Sequence, residues 1–160
     1  MVYRLLSVTR GVETAYPFGF GLSYTRFDYE DLKLSGSEFT GELFATVTIQ
    51  NAGTAAGREV VQLYVSAPGK GAPKPALELR AFAKTRTLQP GESQALGFRL
   101  TGRELASFDE ATSSWLAEAG SYSLKVGASS TDIRQSAGFV LTRPRTVDSV
   151  AASIGSLGAR

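Results

Sequence analysis

The sequence predicts an all-β fold, an antiparallel sandwich of about seven strands, on three observations. From Thr25 onward, short stretches alternate apolar and polar residues with the period of two that puts successive side chains on opposite faces. Clusters of Gly, Pro and Asn separate these stretches at the spacing typical of a sandwich. The long crossover helices that parallel strands require are not among the patterns present.

The first strand is expected over Thr25 to Leu34, where Phe27, Tyr29, Leu32 and Leu34 change parity after Tyr29 and so predict a bend or bulge at Glu30-Asp31. Glu42 to Gln50 alternates cleanly, with Leu43, Ala45, Val47 and Ile49 on one side. Asn51-Ala52-Gly53 supplies a turn. Val60 to Ser66 follows, with Val61, Leu63 and Val65 inward and Val60, Gln62 and Tyr64 on a partly covered outer face. The Pro/Gly segment Ala67 to Ala76 reads as a solvated loop, and extended character resumes from Leu77 to Thr87. Gln89-Pro90-Gly91-Glu92 is a turn with Pro at its second position. Gln94 to Leu100 alternates through Leu96, Phe98 and Leu100. Thr101 to Leu105 is the one expected helical turn, since Thr101 caps and Glu104 stands three residues on, as in a capping box. Two last strands carry Tyr122, Leu124, Val126 and Ala128, then Ala137, Phe139 and Leu141. Together these imply an immunoglobulin-like or fibronectin type III-like sandwich.

Composition narrows the chemistry. The 160 residues suit one domain with a short tail or linker, and an apolar fraction of 42% with 20% charged residues is that of a globular chain. A net charge of +2, with Lys and Arg scattered, implies neither a nucleic-acid nor a membrane-surface partner. No apolar run approaches the roughly 20 residues of a membrane span, and Met1 to Leu6 lacks the apolar core of a secretory signal. The chain has no Cys and no His, so Ser-His-Asp, Cys-His and His- or thiolate-metal chemistry are excluded, and no cofactor is expected.

Two flanks stand outside the strand pattern. Residues 143–160 are rich in Ser, Ala and Gly and read as a flexible or weakly helical tail. Residues 1–24 contain Tyr16-Pro17-Phe18-Gly19-Phe20-Gly21-Leu22-Ser23-Tyr24, in which large aromatics alternate with residues that let a backbone approach another surface closely. Each aromatic gains from burying roughly 150–250 Å². Such a segment either folds back on the sandwich edge or is built to dock against a neighbouring domain.

The stretch YPFGFGLSYT, followed by a strand and then by NAGTAAGREVVQLYVSAP, closely resembles the C-terminal part of glycoside hydrolase family 3, the β-glucosidase and β-xylosidase enzymes. ELRAFAKTRTLQPGES, the run from Trp115 to Arg134 and Gly138 to Leu141 fit the same pattern in order, so the resemblance covers about residues 2–142. It implies that residues 1–24 are the end of an upstream catalytic α/β domain with its linker, and that residues 25–142 are a fibronectin type III-like accessory domain. Its partners would be the catalytic domains, in cis or as a split partner, with polysaccharide as a further candidate. Members of this family are often exported. The catalytic barrel alone needs about 250 residues, so the chain is not expected to be an enzyme on its own.

Glycosidase chemistry needs two carboxyl groups flanking a sugar pocket. Asp28, Glu30 and Asp31, or Glu104, Asp109 and Glu110, could supply a pair, but none matches a family motif, and solvated or capping roles are the stronger reading. Trp115, Tyr122 and Tyr64 could stack on sugar rings, as in a free-standing carbohydrate-binding module. Core packing is the stronger reading for these too, and of the three only Trp115 is kept as a sugar-stacking candidate.

Overall fold

A computed structural model describes residues 24–68, 76–109 and 112–149. The described chain runs β1 (Phe27–Leu34), β2 (Glu42–Asn51), β3 (Val60–Ser66), β4 (Glu78–Lys84), β5 (Ser93–Thr101), α1 (Gly102–Leu105), β6 (Ser107–Asp109), β7 (Ser114–Ala117), β8 (Gly120–Ser129), β9 (Asp132–Leu141) and β10 (Arg145–Ser149). β1, β2 and β5 form one sheet in the order β1-β2-β5, and the second sheet runs β4-β3-β8-β9. All the named strand pairs are antiparallel. These seven strands are the sandwich expected from the alternation.

One core lies between the two sheets. Leu43, Ala45, Val47 and Ile49 of β2 and Leu96, Phe98 and Leu100 of β5 meet Val61, Leu63 and Val65 of β3 and Leu124 and Val126 of β8. Burying a side chain of this size contributes about 1.5–3 kcal/mol. The clean parity of these strands thus fixes their register, because a one-residue slip would expose every one of them.

At β1 the register shifts between Glu30 and Lys33, and Asp31 takes φ 54°, so the parity change seen in the sequence is a bulge. The ladder groups it frees are held by Gln135 of β9, whose Oε1 accepts from Leu32 N at 3.3 Å and whose Nε2 donates to the Tyr29 carbonyl at 2.8 Å. The Gln89–Glu92 turn closes with Glu92 N donating to Gln89 O at 2.9 Å, and Gly91 at φ 82° provides the left-handed third position. Thr101 and Glu104 make the expected capping box around α1, with Thr101 N donating to Glu104 Oε2 at 2.6 Å. At the start of β8, Tyr122 donates its hydroxyl to Glu118 O at 2.8 Å and stacks on Phe139, with ring centroids 5.3 Å apart. This is the tyrosine corner of immunoglobulin-like sandwiches, and burial pushes the Tyr122 hydroxyl pKa up to about 12.

Three expectations are corrected. Arg145–Ser149 is not helical: it is a strand pairing with β7 in a third small sheet of order β10-β7-β6. β7 is four residues long and pairs with β6 on one side, so its other edge offers the backbone groups along which Arg145, Thr146, Asp148 and Ser149 align. Ala128 does not continue the inner face of β8, because register shifts on both sides of Gly127 bury the glycine and turn Ala128 outward. On the outer face of β3, Tyr64 and Gln62 are buried instead of partly covered; Tyr64 donates to Gln62 Oε1 at 2.5 Å and Gln62 Nε2 donates to Ala128 O at 2.8 Å.

One buried ionisable pair makes a pH prediction. The Tyr29 hydroxyl donates to Glu59 Oε1 at 2.7 Å, while Arg134, in a two-point ion pair with Asp132, lies 5.8 Å from the Tyr29 ring. Burial pushes the Glu59 carboxyl above its ordinary range, a shift that the Tyr29 hydrogen bond and Arg134 only partly offset. A group raised in the folded state contributes fully below its unfolded pKa, and that contribution fades as pH rises through the folded one. Wild type should therefore gain stability relative to Glu59→Gln as pH falls toward the ordinary glutamate pKa of about 4.3. Urea unfolding at several pH values checks this, and a constant gap between the two proteins would refute it.

Candidate functional site

Of the docking segment, Tyr16, Pro17, Phe18, Gly19, Phe20, Gly21 and Leu22 lie outside the described residues. Tyr24, its last aromatic, is 100% exposed at the entry to the sandwich. A second large aromatic, Phe82, is 71% exposed on β4, the edge strand of the four-stranded sheet. An exposed Phe on an edge strand is unfavourable in water and marks a face that gains from being covered.

The acidic residues occupy local roles. Asp28 pairs with Arg26 at 3.6 Å and Asp31 with Lys33 at 3.4 Å, all well exposed. Glu104 is held by Thr101, whose hydroxyl donates to Oε2 at 2.7 Å; burial alone would raise its pKa, but the Thr101 hydrogen bonds outweigh it and hold the carboxyl below its ordinary value. Asp109 accepts from Thr112 Oγ1 at 2.6 Å, and Glu110 lies outside the described residues. No group of three or more potential metal ligands occurs among the described residues.

The aromatic candidates divide. Tyr64 and Tyr122 are buried, in keeping with their place in apolar strands, but Trp115 is 46% exposed. β7 turns Ser114 inward and so points Trp115 to the other side, where it meets Phe108 of β6 edge to face at 5.7 Å and 66°. Trp115 also walls a cleft of about 420 Å³, with Leu79 and Arg80 of β4, Arg103 and Glu104 of α1, and Val147 of β10. Arg80 donates from Nη2 to Glu78 and to the Ala106 carbonyl at 3.2 Å, while its Nε is buried without a partner. Neither Arg80 nor Arg103 stands out in the sequence, because the cleft assembles from strands and a turn that meet only in three dimensions.

Comparison with known proteins agrees with this architecture. The family model for the fibronectin type III-like domain matches residues 59–130. The chain is 46% identical over 129 residues to a β-glucosidase of Rhizobium radiobacter, covering 80% of this chain and 16% of that protein. Its structure is similar to β-glucosidase 3B of Thermotoga neapolitana, solved with α-D-glucose, with TM-score 0.84 and 44% identity over 91% of this chain and 20% of that one. A family 3 β-glucosidase of Bifidobacterium adolescentis gives TM-score 0.78 at 38% identity, over 87% of this chain and 20% of that one. The chain thus spans about one sixth to one fifth of these relatives. With its tyrosine corner, its three-plus-four sandwich and these matches, the chain belongs to the fibronectin type III-like domains found in family 3 β-glucosidases.

Proposed function

We propose that the chain is the non-catalytic accessory domain of a family 3 glycoside hydrolase, packing on the catalytic domains and stabilising them or shaping the substrate entrance. The observation that carries this reading is the coincidence of a match to only 16–20% of β-glucosidase relatives with large aromatics left open at Tyr24 and Phe82. Residues 16–24 would form the interdomain contact together with Phe82. Each aromatic would bury roughly 150 Å² or more on docking, enough for a contribution of several kcal/mol.

A graft tests this. In β-glucosidase 3B of Thermotoga neapolitana, the fifth that matches this chain is either deleted or replaced by it. The deletion should lose thermal stability and activity, and the graft should recover most of both. Phe82→Ala in the graft should remove about 2–3 kcal/mol of that stabilisation, read as a lower midpoint in urea unfolding. A graft no more stable than the deletion would overturn the proposal. Polysaccharide binding on a flat aromatic platform gains no support, since Phe108 and Trp115 cross at 66° and present no common plane.

A further inference from the structure

The cleft beside Trp115 is lined by Leu79, Arg80, Arg103, Glu104, Ala106 and Val147 with the indole, and its chemistry is specific enough to name a ligand class. Its wall is a half-exposed indole, which offers an apolar, electron-rich face. Around that wall stand two guanidiniums with donors to spare. Arg103 is exposed and has no acceptor among the described residues, and Arg80 engages Nη2 and buries Nε, leaving Nη1 unengaged. Such donors beside an aromatic face suit a ring that carries C–H groups on one side and hydroxyls on its rim.

Charge decides between a neutral and an anionic ligand. Arg80 is paired with Glu78, and Glu104 lines the same cleft as Arg103, so each guanidinium has a carboxylate beside it or across the cleft. An anion entering there would meet one guanidinium already paired and a carboxylate in the same lining, and would gain little over its hydration. A neutral polyol pays no such cost. The 66° crossing of Phe108 and Trp115 further limits stacking to one ring, because the neighbouring aromatic does not continue the plane.

We propose that the cleft between β4, α1, β7 and β10 is a weak subsite for a single neutral sugar ring, with Trp115 as the stacking wall and Arg103 and Arg80 as hydroxyl-recognising donors. It does not rest on the accessory-domain reading, because none of its lining residues belongs to the docking segment and binding is read on this chain alone.

Trp115 is the only tryptophan, so its fluorescence reports the cleft directly. The 160-residue chain is titrated with D-glucose, D-xylose, cellobiose and D-glucuronate, with amide and indole NMR shifts followed in parallel. Saturable shifts at Trp115 and Arg103 are expected for glucose or xylose, with Kd on the order of millimolar. Cellobiose should bind within about twofold of glucose, since only one ring stacks. Arg103→Ala, at an exposed position away from the core, should weaken binding about fivefold while leaving Tm unchanged. The proposal is overturned by shifts absent at concentrations about tenfold above that Kd, by binding of glucuronate alone, or by an Arg103→Ala variant that binds as tightly as the parent. Failure here would leave the graft result unaffected, and failure of the graft would leave this titration unaffected.

Discussion

Asn51→Ala should destabilise the chain by about 3 kcal/mol in urea unfolding, although it removes only a short polar side chain. Asn51 is fully buried at the end of β2, and every polar atom of its side chain is engaged. Its Oδ1 accepts from Thr25 Oγ1 at 2.7 Å and from Gly53 N at 3.1 Å. Its Nδ2 donates to the carbonyls of Ala55 and Leu88, both at 2.8 Å. One amide thus joins the entry to β1, the loop after β2 and the segment before β5. Alanine would leave the Gly53 N–H and the Thr25 hydroxyl without this acceptor and the Ala55 carbonyl without this donor. Each of these part-buried bonds contributes about 1 kcal/mol, and Leu88 O would keep its bond from Gly57 N. Asn51→Asp is the sharper variant. It keeps both accepted bonds but turns a carboxylate oxygen toward two carbonyls, and at neutral pH it should cost at least as much as alanine. A loss below about 1 kcal/mol for both variants would mean that the surrounding loops do not depend on this network.

That network also shows how far the sequence was readable. The stretch beginning Asn51-Ala52-Gly53 carried the family resemblance, yet as a pattern it reads only as a turn; the buried amide is visible once Thr25 and Leu88, 26 and 37 residues away, are brought to it. Most of the sandwich strands were legible because one face is buried over a length at which a period of two shows, as in β2 and β5, whereas β3, buried on both faces, and β4 were legible as apolar runs between turn signals. β6, β7 and β10 were not, since three to five residues carry too little alternation to separate a strand from a loop. Trp115 sits on one of these short strands, so parity could not say that it faces outward. Of the cleft, only Trp115 and Glu104 drew notice as single residues; the cleft itself left no mark, because its members come from β4, α1, β7 and β10 and share no spacing. The docking role of Tyr16 to Tyr24 rests on composition alone, on the argument that apolar surface of that size gains from cover.

Gly127→Ala should cost about 3 kcal/mol or more, a large loss for a single added methyl group. A Cβ at Gly127 would lie 2.0 Å from the Asp132 carbonyl oxygen and 2.9 Å from Ile133 Cα. These are backbone atoms of β9, so no side-chain rotation relieves the clash. The strand itself is not free to retreat. Asp132 N donates to Ser129 Oγ at 3.1 Å, and the β8–β9 ladder continues from Val126 to Gly120 over the buried Leu124 and Tyr122. Relief therefore requires opening the end of the hairpin or moving β9, which would disturb the Gln135 bridge to β1 and the stacking of Phe139 on Tyr122. Gly97→Ala supplies the control of opposite sign. On the exposed face of β5 nothing lies within 4 Å of the added carbon, so that variant should be stabilised by about 0.4–1 kcal/mol through a less flexible unfolded chain. Parallel thermal and urea denaturation of the two variants separates close backbone approach from generic glycine flexibility. Equal shifts in the same direction would show that the pinch between β8 and β9 does not constrain position 127.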